Sequence, residues 1–228
     1  MKSLCVAAVV LSLISVCQPA SLACEQLVKP VDQGPDLSGR WYVIATSTEL
    51  CLTSTLLNAI FWPSIAADIT SKDIPNIYSA NIWIKAYGYC DNKPQPFFYA
   101  NKTFSHVSSN NTPTGEADVL LQTGCPDCLV LKGDTVAKLK FLSRRQVITA
   151  AELKEFEMQA ECLGWSKPEV FNSDHDHDNC KKIDDVSDDE ATAVLETIGS
   201  KMFGRVKSMI HNLIKCIIEA FLSYFNST

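Results

Sequence analysis

Between Gly39 and about Arg144 the chain does not adopt a helical period. Val, Ile, Tyr, Phe and Trp gather in short runs broken by Pro, Gly and Asn. The runs place strands near 40–48, 59–70, 77–89, 96–106, 116–123, 128–133 and 136–144, with a weak eighth near 110–115. Short strands in series without intervening helices predict an antiparallel meander, hence a barrel or a sandwich.

After residue 144 the period changes. Thr149-Ala-Ala-Glu152 is a capping box, Leu153, Phe156, Ala160 and Leu163 follow at helical spacing, and Gly164 supplies a stop. One helix of about 14 residues is expected there. From Asn172 to Glu190 eight acidic residues stand against two lysines, which reads as a solvated linker. Ser187-Asp-Asp-Glu190 is a second capping box. It opens an amphipathic helix carrying Leu195, Ile198, Met202, Val206, Met209, Leu213, Ile217 and Phe221, with Gly199 or Gly204 as possible breaks.

The N-terminus has Lys2, an apolar stretch from Leu4 to Val16 and Ser21-Leu22-Ala23, the form of a secretory signal peptide (1–23) cut before Cys24. Thirteen apolar-rich residues are short for a bilayer span. Eight cysteines remain after position 23, and an even count in an exported chain favours disulfides. Asn101-Lys-Thr103, Asn110-Asn-Thr112 and Asn226-Ser-Thr228 are acceptor triplets for N-linked glycan. The expected localisation is secreted and extracellular. A net charge of −6 gives no reason to expect nucleic acid as a partner.

With these residues in view the chain resembles a lipocalin over roughly residues 24–182, leaving 183–228 as acidic linker and terminal helix. The resemblance rests on Gly39-Arg-Trp41 opening the first strand and on Arg144-Arg145 closing the last, just before the TAAELKEF helix. The placement of Cys24, Cys90, Cys162 and Cys180 is similar to the α1-acid glycoprotein and apolipoprotein M branch, and within it to the fish saxitoxin/tetrodotoxin-binding and tributyltin-binding proteins. The resemblance implies an all-β, eight-stranded antiparallel up-and-down barrel with one flanking α-helix, to which this chain adds a C-terminal amphipathic helix. It also implies pairing of Cys24 with Cys162 and Cys90 with Cys180. Gly39, Trp41 and Arg144 or Arg145 would form the barrel floor, an arginine lying across the indole. The implied function is to carry a small hydrophobic or amphiphilic ligand, of lipid, steroid, toxin or organotin class, in the barrel.

If Asn101 faces solvent, alternation along a single strand sends Phe98, Ala100 and Phe104 inward. The same rule puts Ala117, Val119 and Leu121 inside with Asp118 out, and Leu139 and Phe141 inside with Lys138 and Lys140 out. Val43, Trp83 and Tyr87 complete the expected lining. Core packing competes with ligand contact at each of these positions.

Cys125-Pro-Asp-Cys128 lies between two strands, so it reads as a staple across a hairpin loop rather than a redox pair. Cys51 and Cys216 are left to bridge each other, stay free or pair with another chain. His175 and His177, in Asp174-His-Asp-His-Asp178, are the only concentrated metal-capable side chains, and an exposed acidic loop is the plainer reading. No metal or cofactor is expected. No Ser/His/Asp or Cys/His pairing is suggested by placement, so no enzymatic activity is expected. The apolar face of the terminal helix leaves three options: packing on the barrel, lying on a lipid or lipoprotein surface as a membrane-active element, or pairing two copies. Monomer and dimer both fit.

Overall fold

The computed structural model describes residues 22–49, 63–133, 138–171, 174–182 and 185–226. Eight strands follow in series: β1 (Gly39–Ser47), β2 (Ser64–Ser71), β3 (Ile77–Ala86), β4 (Tyr89–Ala100), β5 (Thr103–Val107), β6 (Pro113–Leu121), β7 (Cys128–Lys132) and β8 (Leu139–Ser143). Each pairs antiparallel with its neighbour, and β8 returns to β1, so the eight strands close into an up-and-down barrel. Two short strands decorate it. β9 (Glu169–Val170) lies along β1, and β10 (Lys181–Lys182) runs parallel to β4.

The count of eight is reached by a different route from the one expected. No separate strand occupies 110–115; those residues fall in the approach to β6 and its first turns of ladder. Instead the run 96–106 divides. Asn101 and Lys102 both take positive φ, 51° and 68°, and Ala100 pairs with Thr103. That is a two-residue hairpin turn, whose mirror-image backbone suits the twist of the flanking strands. Tyr87 and Gly88 make the equivalent turn between β3 and β4.

α1 (Ala150–Cys162) follows the barrel. The Thr149 hydroxyl accepts from the Glu152 N–H, and the Glu152 carboxylate accepts from the Thr149 N–H. The helix ends at Gly164, whose φ of 71° lets Trp165 N–H reach back to the Ala160 carbonyl. Its Phe156, Gln159 and Ala160 are fully buried against the outside of the barrel. α2 (Asp188–Asn226) is one continuous helix, unbroken at Gly199 and Gly204. Among the described residues no helix is long and apolar enough to cross a membrane.

Three disulfides join Cys24 to Cys162, Cys90 to Cys180 and Cys125 to Cys128. The first ties the N-terminal segment to α1 and the second pins the tail to β4. Cys216 is also disulfide-bonded and is buried in α2. Cys51 lies outside the described residues, as do residues 1–21, which hold most of the expected signal peptide.

The stretch 174–182 is not the solvated linker that its acidity suggests. His175 and His177 are 5% and 4% exposed. Burial is available because Lys85 from β3 takes both carboxylate oxygens of Asp174 at 2.9 Å, and the Cys90–Cys180 bond holds the segment against the wall.

Candidate functional site

The barrel separates two apolar clusters. One fills its interior: Leu37, Trp41, Ile69, Ala80, Leu120, Leu129 and Leu142, with Val43, Tyr78, Phe97, Tyr99 and Phe104 packed against them. The other lies outside the wall and beneath α1: Ile44, Leu121, Val130, Leu139, Phe141, Phe156 and Ala160, with Val119 beside them. Phe141 and Phe156 meet edge to face at 5.2 Å.

This division corrects most of the expected lining. Val43 and Phe104 do lie on the inner wall. Val119, Leu121, Leu139 and Phe141 lie on the opposite face, where α1 supplies a second apolar neighbour. Asp118 and Lys140 accordingly point inward. Phe98 lies on the outer face, because the turn at Asn101 makes Tyr99 and Phe104 partners and leaves Phe97 and Tyr99 as the inward pair; Ala100 falls on the same outer face as Phe98. Trp83 is outside too, its indole N–H donating to Asp68 Oδ2 at 2.8 Å. Tyr87 sits in the β3–β4 turn, with the Arg205 guanidinium of α2 6.0 Å from its ring. Asn101 and Asn110 are exposed in turns, and the Asn226 triplet runs beyond the described residues.

The closed end is built around Trp41, which is 1% exposed. Its indole N–H donates to the Leu37 carbonyl at 2.8 Å, and the Arg144 guanidinium lies 4.2 Å over the ring. Gly39 has φ of +94°, and a Cβ there would stand 2.9 Å from Arg144 Nη1. Glycine therefore supplies both the backbone and the space for the stack. Arg145 turns the other way, onto Asp127 at 2.7 Å and Glu152 at 2.6 Å, tying the 125–128 loop to α1.

Above this floor is a cavity of about 440 Å³. Its lower wall is apolar, with Phe97 and Phe104, ring centres 5.6 Å apart, beside Ile69, Leu129 and Leu142; Tyr99 packs on Phe104 at 4.6 Å and Tyr78 on Phe97 at 5.4 Å. Burial pushes the Tyr99 phenol above its ordinary pKa. Toward the open end the wall turns polar. Lys140 Nζ pairs with Asp118 Oδ2 at 2.9 Å, Gln95 Nε2 lies 3.3 Å from His106 Nδ1, and Glu116 stands beside them. A wider recess of about 510 Å³ lies outside the floor, between the N-terminal segment and the 121–128 loop. Its Glu155 carboxylate accepts from the Gly124 N–H at 2.9 Å.

Cys125, Asp127, Cys128 and Glu152 bring ligand-type atoms within 4.8 Å of one another. The two sulfurs are joined to each other and Arg145 occupies the carboxylates, so the cluster has no donor set for a cation. Three ring nitrogens of His175 and His177 meet protein partners. His175 Nδ1 is 3.0 Å from Ser64 Oγ, and His177 Nδ1 and Nε2 are 3.0 and 3.3 Å from the carbonyls of His175 and Ser64.

No family model matches the chain, and no curated protein matches it. Among solved structures it is similar to one described as the siderocalin Ex-FABP, said to function through dual ligand specificities. The identity is 13%, the TM-score 0.48, and the match covers 61% of this chain and 95% of the other. The barrel assignment rests on the strand pairing itself.

Proposed function

We propose that the chain is a secreted, non-enzymatic carrier of lipocalin type that holds one small amphiphilic molecule inside its barrel. The observation that carries this reading is the graded cavity: an apolar lower wall that includes Phe97 and Phe104, below an ion pair and a ring of polar groups. An apolar ligand body would sit against Phe97, Phe104 and Leu129, gaining about 25 cal/mol for each Å² taken from water. Its polar head would meet Gln95, His106 and Glu116, and so set orientation and selectivity. Asp118 and Lys140 pair with each other, which leaves Glu116 as the further carboxylate of the ring. A neutral or cationic head fits that ring better than a carboxylate does. The acceptor triplets and the leader-like N-terminus support export and glycosylation.

Native mass spectrometry of the protein from a eukaryotic expression host, deglycosylated, before and after organic extraction tests the reading. Bound mass lost on extraction is the expected outcome, and dodecylammonium then binds on the order of tenfold more tightly than laurate. A specific observation favours a second reading. α2 leaves Leu195, Phe203, Ile210, Ile214, Ile217 and Ile218 about half to three-quarters exposed. Such a stripe suits a lipid surface. An empty barrel together with strong binding to phosphatidylserine vesicles would move the function to that helix.

A further inference from the structure

The acidic segment carries two histidines, and the fold buries both against the outer face of β1 to β3. His175 stands edge-on to the Tyr42 ring, centres 5.3 Å apart, and meets the Ser64 hydroxyl. His177 folds back on the His175 carbonyl and reaches the Ser64 carbonyl. Both contacts fall where β2 begins, at the open end of the barrel. Ser64 is 2% exposed, and Ala66 on the same outward face is fully covered. On one side of the pair the Phe171 N–H donates to the Ile44 carbonyl, and on the other Cys180 is bonded to Cys90. Between those two points, residues 174–179 are held to the wall by the two histidines and by Lys85, which also donates to the Asp176 carbonyl at 2.7 Å.

We infer that residues 174–179 form an acid-released latch, closed while His175 is neutral and opened by its protonation. A neutral ring can accept from Ser64 and pack on Tyr42. An imidazolium in the same place loses its water and gains no free counter-charge. The groups facing the pair make this plain. β1 presents Tyr42, and β2 presents Ser64 and Asp68. The oxygens of Asp68 are committed to Arg40, at 2.8 Å each, and to the Trp83 indole. β3 presents Lys85, which is a cation and has already claimed Asp174. The segment itself adds only His177 and Asp174.

Burial first, and then the neighbouring His177, hold His175 below its ordinary value of about 6.5, with Asp174 pulling the other way. The sign follows. A group whose pKa is depressed in the closed form stabilises closure above about 6.5, and that stabilisation is lost as pH falls below it. The two tethers confine the change to the loop: acid bares the outer wall at the barrel mouth without releasing the tail or α2.

Hydrogen–deuterium exchange of the full chain at pH 7.5 and 5.5, corrected for intrinsic rates, tests the latch. Peptides covering 174–179 should lose protection at pH 5.5, by up to about tenfold for a single histidine with an open-form pKa near 6.5, while those of β2 stay protected. In His175→Gln the pH response of the loop should vanish. Unchanged protection at pH 5.5, or a full pH response in the variant, overturns the inference. An NMR titration of the His175 ring in the native chain decides the matter even where the variant does not latch. A midpoint below 6.5, in step with the exchange, supports the latch; one at or above 6.5 overturns it.

Discussion

Strands β6 to β8 carry apolar side chains on both faces, and the two faces answer to different neighbours. The outward face packs Val130, Leu139 and Phe141 under Phe156 of α1, with Leu121 and Ala160 closing the layer at 1% exposure each. The inward face of the same strands reads Asp118, Leu120, Leu129, Leu131, Lys140 and Leu142, apolar near the floor and charged near the mouth. The outer layer is a dry core between a sheet and a helix. The inner layer is the wall of a cavity, and half-buried ionic groups survive there because they face space that water can enter. The outward face is thus packed core, and the inward face near the mouth is where a ligand of the proposed kind would be held.

The largest test of that contrast is Phe156→Ala. Emptying the centre of the outer layer should cost about 3–5 kcal/mol in urea unfolding while leaving ligand stoichiometry per folded molecule unchanged. A loss under about 1 kcal/mol would mean that α1 is not what holds the wall. Phe104→Ala on the inner wall should cost less, about 1–2 kcal/mol, because the ring already borders a cavity. Its main effect should be weaker retention of an apolar fluorescent probe, and an unchanged probe affinity would place the ligand elsewhere. Arg144→Leu removes the cation over Trp41 and should lower stability by about 0.5–2 kcal/mol, read from the unfolding midpoint. Arg145→Leu should not disturb the Trp41 fluorescence environment.

The smallest effect is one of pH. The Arg145 hydrogen bond holds the Asp127 carboxyl below its ordinary range, and the Thr149 N–H, then Arg145, does the same for Glu152. Depressed carboxyls stabilise the fold above their unfolded values near 4, and that contribution is lost as pH falls through the folded ones. Unfolding midpoints at pH 5 and pH 3 should therefore differ more in the native chain than in Arg145→Gln.

Local chemistry was legible in the sequence. The Thr149 capping box, the staple at Cys125–Cys128 and the change of period at 149 depend on residues within a few positions of one another. The Trp41 floor joins residues far apart in the chain; the family resemblance implied it, and only the structure chose Arg144 over Arg145. What alternation alone misassigned was the direction of β6 and β8. The rule of apolar in and polar out needs one wet face, and α1 removes it for these strands. The inward charges of Asp118 and Lys140 were a signal of opposite sense, readable only once each is seen to have the other as partner. The hairpin at Asn101-Lys102 was hidden because lysine takes the place that glycine usually fills in such a turn. The buried histidines were hidden among aspartates, the first of which, Asp174, has its charge met by Lys85, a residue 89 positions away.

The pairing of β4 with β5 has a consequence for how this protein behaves when concentrated. An open sheet ends in a strand with a row of unpaired N–H and C=O groups, and such a row can template a strand from another chain. A ring has no such end, so the eight long strands offer no place for cross-β growth while the barrel is intact. Self-association of the intact barrel therefore runs through side chains, and among the described residues the apolar stripe along α2 is the longest series of exposed ones. Aggregates of the folded protein should keep its native infrared strand signature and dissolve in mild detergent, as assemblies of helices do and amyloid does not.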